Sequence, residues 1–249
     1  MMLKRTRFMA LYSLPRWRGF MTAGSGVFIS LLLTLLLGAG YARLGAPASD
    51  RTSPLTYVAV GDSTGIGLGA RDGGGYVDRL FARVKQKRPG STLINLSAAG
   101  ATTADALHKQ LPQLGGTRET LVTVCIGLND LLRGCQAEQF AEDYEALITR
   151  LRQSGGRIVV TNLPDVASAP VMEGKADESL RPRLLQFNRA IEQVAERHKV
   201  TLVDLYKSSG NTFKAHPEFF SSDGLHPSDE GYAYWADVMW PPVEQAINQ

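Results

Sequence analysis

The sequence is short of cysteine and of charge of one sign, and past its first fifty residues it carries no internal repeat or low-complexity tract. Two cysteines in 249 residues cannot build a disulfide-stapled miniprotein, and no Cys-x-x-Cys or His-Glu-x-x-His spacing marks a metal site. The formal charge of +3 is unevenly placed. Residues 1–50 carry six Lys/Arg and one Asp, which leaves 21 basic against 23 acidic side chains in the remainder. A domain with that balance has no bulk positive field for nucleic acid. What is present is 44% hydrophobic and 20% charged residues, the composition of a globular protein. A folded part of about 200 residues buries roughly 70% of its unfolded surface, so its core needs no staple and no metal.

The basic residues of the first fifty lead into an apolar run. Lys4, Arg5, Arg7, Arg16 and Arg18 precede 24 uncharged residues, Gly19 to Ala42. As a helix that run would extend about 36 Å, against about 30 Å of bilayer hydrocarbon. Its densest part, Val27 to Leu37, is also of signal-peptide size, and Ala46-Pro47-Ala48 supplies small residues for cleavage. The expected organisation is a basic cytoplasmic segment (1–18), a transmembrane anchor or signal-peptide helix (19–42), a linker (43–54) and one folded domain (55–249). The domain then lies outside the cytoplasmic membrane, held by a single pass or released after cleavage.

Beyond the linker, short β-branched runs alternate with longer amphipathic ones. Strands are expected at Leu55–Val60, Thr92–Leu96, Leu121–Ile126, Arg157–Thr161 and Thr201–Leu205, each apolar on both faces. Helices are expected at Tyr76–Arg88, Thr103–Leu114, Ala137–Gln153 and Glu178–Lys199, with a last one from Ser228 toward Ile247. Five such units predict a three-layer α/β/α sandwich on a parallel, flavodoxin-like sheet. Ligands bind such sheets beyond the carboxyl ends of the strands.

Polar or glycine-rich clusters follow the strands: Gly61-Asp62-Ser63-Thr64, Ser97 to Thr103, Gly127-Leu128-Asn129-Asp130 and Asn162-Leu163-Pro164-Asp165. Asp223-Gly224-Leu225-His226-Pro227 precedes the last helix. A serine hydroxyl attacks only when an imidazole takes its proton, and a carboxylate on the other ring nitrogen fixes the tautomer. Ser63, His226 and Asp223 are those types. The Ser63 and Gly100 N–H groups and the Asn129 amide could receive charge developing on a carbonyl oxygen. Ser63 is expected at a strand-to-helix turn, presented at a helix N-terminus.

These blocks resemble the SGNH or GDSL hydrolases. Gly61-Asp62-Ser63 is similar to the family's first block, Gly100 falls at the glycine of the second, and Gly127-x-Asn129-Asp130 and Asp223-x-x-His226 are similar to the third and fifth. The resemblance runs from about Leu55 to Trp240. It implies ester or thioester hydrolysis through a Ser63–His226–Asp223 triad, with Ser63, Gly100 and Asn129 as the oxyanion hole and with no metal or cofactor. Small esters aside, proximity to a membrane points to lysophospholipids, other lipid esters or acylated cell-envelope glycans as substrates, and the family also includes thioesterases and carbohydrate acetylesterases. Thr64 stands where the family name has leucine, a position without an expected chemical role.

Other readings remain beside this one. Gly65-Ile66-Gly67-Leu68-Gly69-Ala70 fits a dinucleotide-binding pattern, but it begins four residues beyond Gly61, and strand two ends without an acidic residue for a ribose. A non-catalytic envelope-binding domain could keep the fold. His108, His198 and His216 have no partners at ligand spacing. Asp130 is either a site contact or the cap of the helix after its own loop. Cys125 and Cys135 either pair in an oxidising compartment or stay as thiols, and neither is the expected nucleophile. Tyr232, Tyr234, Trp235 and Trp240 are core of the last helix or the wall of an acyl pocket. The segments Asn162–Met172 and Ser208–Ser222 are expected as loops that set pocket depth.

Overall fold

The computed structural model describes residues 53–115, 121–174 and 178–249. The expected segments 1–18 and 19–42, and nearly all of the linker, lie outside the described residues. Among the described residues no helix is long and apolar enough to cross a membrane.

Five strands form the sheet: β1 (Thr56–Gly61), β2 (Thr92–Asn95), β3 (Leu121–Cys125), β4 (Arg157–Thr161) and β5 (Thr201–Val203). They run parallel in the order β2-β1-β3-β4-β5, the flavodoxin-like order. Side chains alternate across a strand, and here both sets are apolar. Val58, Val60, Val122, Val124, Ile158 and Val160 pack in one cluster with helices α4 (Ala137–Gln153) and α5 (Leu180–His198). Within it Phe140 of α4 stacks on Phe187 of α5 with ring centroids 4.3 Å apart. Tyr57, Ala59, Leu121, Val159 and Val203 pack in a second cluster with α1 (Tyr76–Lys87) and α7 (Asp229–Asn248). Each buried valine, leucine or isoleucine among them contributes about 1.5–3 kcal/mol by leaving water. Gly45–Gln249 form one compact unit. It contains the whole sheet and both core clusters, so the domain carries its own core.

The remaining elements differ from expectation. The run 103–114 is not one regular helix. A single α-turn, α2 (Thr103–Asp105), passes into a π-turn (Ala106–Gln110) and a 3₁₀ turn (Leu111–Leu114). Two helices were not expected: α3 (Leu128–Leu132), inside the Gly-x-Asn-Asp cluster, and α6 (Leu205–Ala215). Strand five therefore ends two residues early, and Ser208–Ala215 is helix rather than loop. Serines, Gly210, Asn211 and Thr212 make α6 a poor helix by propensity. Its start is fixed locally, because the Asp204 side chain accepts the Lys207 N–H at 3.0 Å.

Candidate active site

β1 delivers the chain to the rim of the sheet at Gly61, where it breaks into a run of turns. The Asp62 carboxylate accepts both the Thr64 N–H and the Thr64 hydroxyl, each at 2.9 Å. This side-chain-to-backbone closure two residues on is the turn aspartate favours. Ser63 lies at its crest, and its carbonyl accepts the Leu68 N–H at 2.9 Å. Ser63 is thus not at a helix N-terminus as expected, since α1 begins only at Tyr76. Thr64 is buried and its hydroxyl is spent on Asp62, a structural role in the turn at a position with no expected chemical one. The turn also needs Gly65, because a Cβ there would lie 2.1 Å from Ser97 Oγ. Burial raises the Asp62 carboxyl above its ordinary range, against the Thr64 hydrogen bonds, which lower it.

The loop before α7 meets this turn. An antiparallel bridge joins Phe220 to Pro227, and the Ser221 N–H donates to the His226 carbonyl at 2.8 Å. Inside the loop Asp223 Oδ1 accepts the N–H groups of Leu225 and His226 and the Ser221 hydroxyl, at 2.8–2.9 Å. Its other oxygen, Oδ2, lies 2.6 Å from His226 Nδ1, and His226 Nε2 lies 2.9 Å from Ser63 Oγ. With Nδ1–H donating to Asp223, Nε2 is left to accept the serine proton. Partial burial pushes the Asp223 carboxyl up, but the Leu225 N–H, the imidazole, the His226 N–H and the Ser221 hydroxyl together hold it well below the carboxylate range.

Gly100 and Asn129 line the same cavity as Ser63 and His226. Gly100 has φ +73°, a left-handed conformation that glycine adopts without a Cβ penalty. One amide hydrogen of Asn129 goes to the Ala101 carbonyl at 3.0 Å, leaving the other for a substrate oxygen. The cavity has a volume of about 260 Å³. Its walls include Leu68, Leu128, Val166, Phe213, Tyr234 and Trp235, so the last helix supplies both core and pocket wall. Pro164, Asp165, Val166 and Ala169 also line it, and so does Ser209 of α6.

Two supporting residues, Arg133 and Gln110, escaped sequence reasoning, and a third, Asp130, holds a different helix from the one expected. Asp130 is buried and accepts the Thr103 N–H at 3.0 and 3.2 Å and the Thr103 hydroxyl at 3.3 Å. It therefore holds the first N–H of α2, the helix after Gly100 that Thr102 caps, and does not cap the helix of its own loop. The Arg133 guanidinium donates to the Gly100 carbonyl at 2.8 Å. Gln110, buried at the end of the π-turn, accepts the Gly61 N–H at 3.1 Å and donates to the Gly61 carbonyl at 2.7 Å. π-turns recur where an extra residue must aim a side chain, and here the aim is at the strand end that presents Ser63. Of these, Asp130 alone had a signal, as the neighbour of Asn129.

The other singled-out residues stand apart from the site. Cys125 and Cys135 are both free thiols, so the disulfide alternative is not realised. Burial pushes the Cys125 thiol up to about 12, which leaves it protonated and inert. His198 contacts Glu145, and His216 Nδ1 lies 2.8 Å from Glu218. The glycines of Gly65–Ala70 open no helix. They form turns at the cavity mouth, held where the Tyr232 hydroxyl donates to the Leu68 carbonyl at 2.7 Å.

The model of the GDSL-like Lipase/Acylhydrolase family matches residues 59–234. The chain is 23% identical over 200 residues to Esterase TesA of Pseudomonas aeruginosa, covering 80% of this chain and 92% of the relative. Among solved structures, the psychrotrophic esterase EstA from Pseudoalteromonas superposes with TM-score 0.62 at 20% identity, over 78% of this chain and all of that one. The acetyl xylan esterase AlAXEase gives TM-score 0.62 at 20% identity, over 76% of this chain and all of that one.

Proposed function

This chain belongs to the GDSL-like Lipase/Acylhydrolase family and is an ester-hydrolysing enzyme, and on that premise we propose that it works through an acyl-serine formed on Ser63. The observation that carries the reading is the unbroken line from Asp223 Oδ2 to His226 to Ser63 Oγ, at 2.6 and 2.9 Å, opening on an apolar cavity. His226 Nε2 takes the hydroxyl proton as Ser63 attacks the ester carbonyl. The tetrahedral oxyanion is received by the Ser63 and Gly100 N–H groups and the free Asn129 hydrogen. The imidazolium, stabilised by Asp223, then protonates the leaving alcohol. Water activated by the same imidazole releases the acid and restores Ser63.

The cavity favours an apolar acyl group over a bare acetyl, since leucine, valine and aromatic walls reach well beyond the reacting atoms. A lipid-type ester of the cell envelope is the substrate class this supports, with thioesters admitted by the same chemistry. Deacetylation of an envelope glycan is the second reading, favoured by the likeness to an acetyl xylan esterase. The basic and apolar first 42 residues support a position at the outer side of the cytoplasmic membrane, anchored or released. A binding domain without catalysis has no need of the Ser63–His226 contact.

The test compares wild type with Ser63→Ala for labelling by a fluorophosphonate and for hydrolysis of p-nitrophenyl esters of rising chain length. Both signals present in wild type and lost in the variant support the reading, and a rate that rises beyond acetyl supports the acyl assignment. A folded wild type silent in both assays overturns the acyl-serine mechanism.

A further inference from the structure

Large apolar side chains exposed on the surface are sparse in this domain, and they are not scattered. Among the described residues they are Ile66, Leu68 and Leu132, at 44%, 45% and 37% exposure. Leu68 and Leu132 line the catalytic cavity, and Ile66 is two residues from Leu68 in the same run of turns. Isolated exposed leucines need no explanation, but convergence on one opening marks a contact surface. Nor is this loop free to fold its side chains inward. Its backbone is pinned at Leu68, whose N–H donates to the Ser63 carbonyl and whose carbonyl accepts the Tyr232 hydroxyl.

We propose that Ile66, Leu68 and Leu132 form a docking rim that seats the cavity mouth on a phospholipid bilayer. This deepens the lipid-ester reading above and rests on it. The occupant is argued from the chain itself. The 24-residue uncharged run ends at Ala42, ten residues before the described domain begins at Ser53. Ten residues span at most about 36 Å, so a domain held by that run stays within reach of a bilayer. The exposed Arg133, next to Leu132 and tied to the Gly100 carbonyl, places a cation where phosphate headgroups would lie. With the rim seated, an acyl chain passes from lipid to the cavity without crossing water, and its ester stops at Ser63.

The experiment uses purified residues 45–249, the unit that carries its own core, in flotation with phosphatidylcholine/phosphatidylglycerol vesicles. Wild type and Ser63→Ala are expected to float equally, because docking needs no catalysis. Ile66→Asp, outside the catalytic machinery and in an exposed turn, is expected to float about tenfold less, as a charge replaces a seated apolar side chain. The same variant should melt with wild type and hydrolyse a soluble short-chain ester at an unchanged rate. Leu132→Asp gives a second reading of the vesicle-bound fraction from the other side of the mouth. Wild type left in solution, Ile66→Asp floating like wild type, or a wild-type dimer that Ile66→Asp dissolves would each overturn the proposal. Failure of the acyl-serine reading is separate, because it appears as lost fluorophosphonate labelling whatever floats.

Discussion

The two segments that meet at Ser63 are held by opposite means. The turn from Asp62 to Ala70 is fixed from the inside: Asp62 is buried, its partner Thr64 is buried, and Gly61 behind them is clamped by Gln110. The loop from Phe220 to Ser228 is fixed by its own polar groups, with Asp223 taking three hydrogen bonds on one oxygen while its side chain remains 46% exposed. The environments divide two nearby carboxylates, raising the pKa of Asp62 by burial and lowering that of Asp223 by its hydrogen bonds. The proposed nucleophile is thus positioned by packing and the proposed base by a local electrostatic loop. The first tolerates little change in volume, the second little change in charge.

The strongest way to break the electrostatic side is Asp223→Asn, which keeps the shape and removes the charge that holds the tautomer. Its kcat should fall by about 10⁴, with fluorophosphonate labelling slowed in step. In wild type the pH–rate profile should fall on the acidic side, and one flat from about pH 5 to 9 would remove the imidazole as base.

Next comes Asn129→Ala, which takes one oxyanion donor and should cost about 10²–10³ in kcat with KM little changed. A loss confined to KM would place Asn129 in ground-state binding instead.

On the packed side, Gln110→Ala leaves the Gly61 N–H buried without its acceptor, a cost of about 1–3 kcal/mol. For a domain of this size that lowers Tm by roughly 2–12 °C. The rate should fall with it, because the strand end that carries Ser63 loses its clamp.

The smallest effect gives the sharpest contrast. A carboxyl raised in the folded state contributes stability below its unfolded value of about 4 and loses it as pH climbs through the folded value. Asp62→Asn keeps an acceptor for Thr64 and removes that loss, so its Tm relative to wild type should be higher at pH 7 than at pH 4. Asp223 has the reverse sign: its contribution is present above about pH 4 and disappears on acidification. The Tm deficit of Asp223→Asn should therefore be largest at neutral pH and shrink in acid. Thermal scans of the two variants across pH that slope the same way would dissolve the comparison.

The difference between the segments also explains what could be read from the amino acids. The doubly apolar strands and the long amphipathic helices follow from period and composition, and β4 and α4 fall at the boundaries expected for them. The triad candidates were legible because reactive residue types recur after strands in one order. What held them in place was not. Gln110 looks like any helical glutamine until a π-turn rotates it inward, and Asp130 reads as a local cap until the sheet brings Thr103 beside it. Thr64 matters only because Asp62 is buried. α6 was missed because one capping aspartate outweighs weak propensity. Each of these depends on a neighbour distant in sequence or on burial, which local pattern does not carry.

Ser63 follows the first strand, while His226, 163 residues later, stands just before the last helix. In the proposed mechanism a chain growing from its N-terminus makes its nucleophile early and its base only just before α7. No partly made domain can hydrolyse anything, even with its central strands already paired. Under the proposed mechanism, activity therefore requires the Phe220–Ser228 loop to have met the Asp62–Ala70 turn, and the catalytic rate is expected to follow the fraction of molecules in which it has.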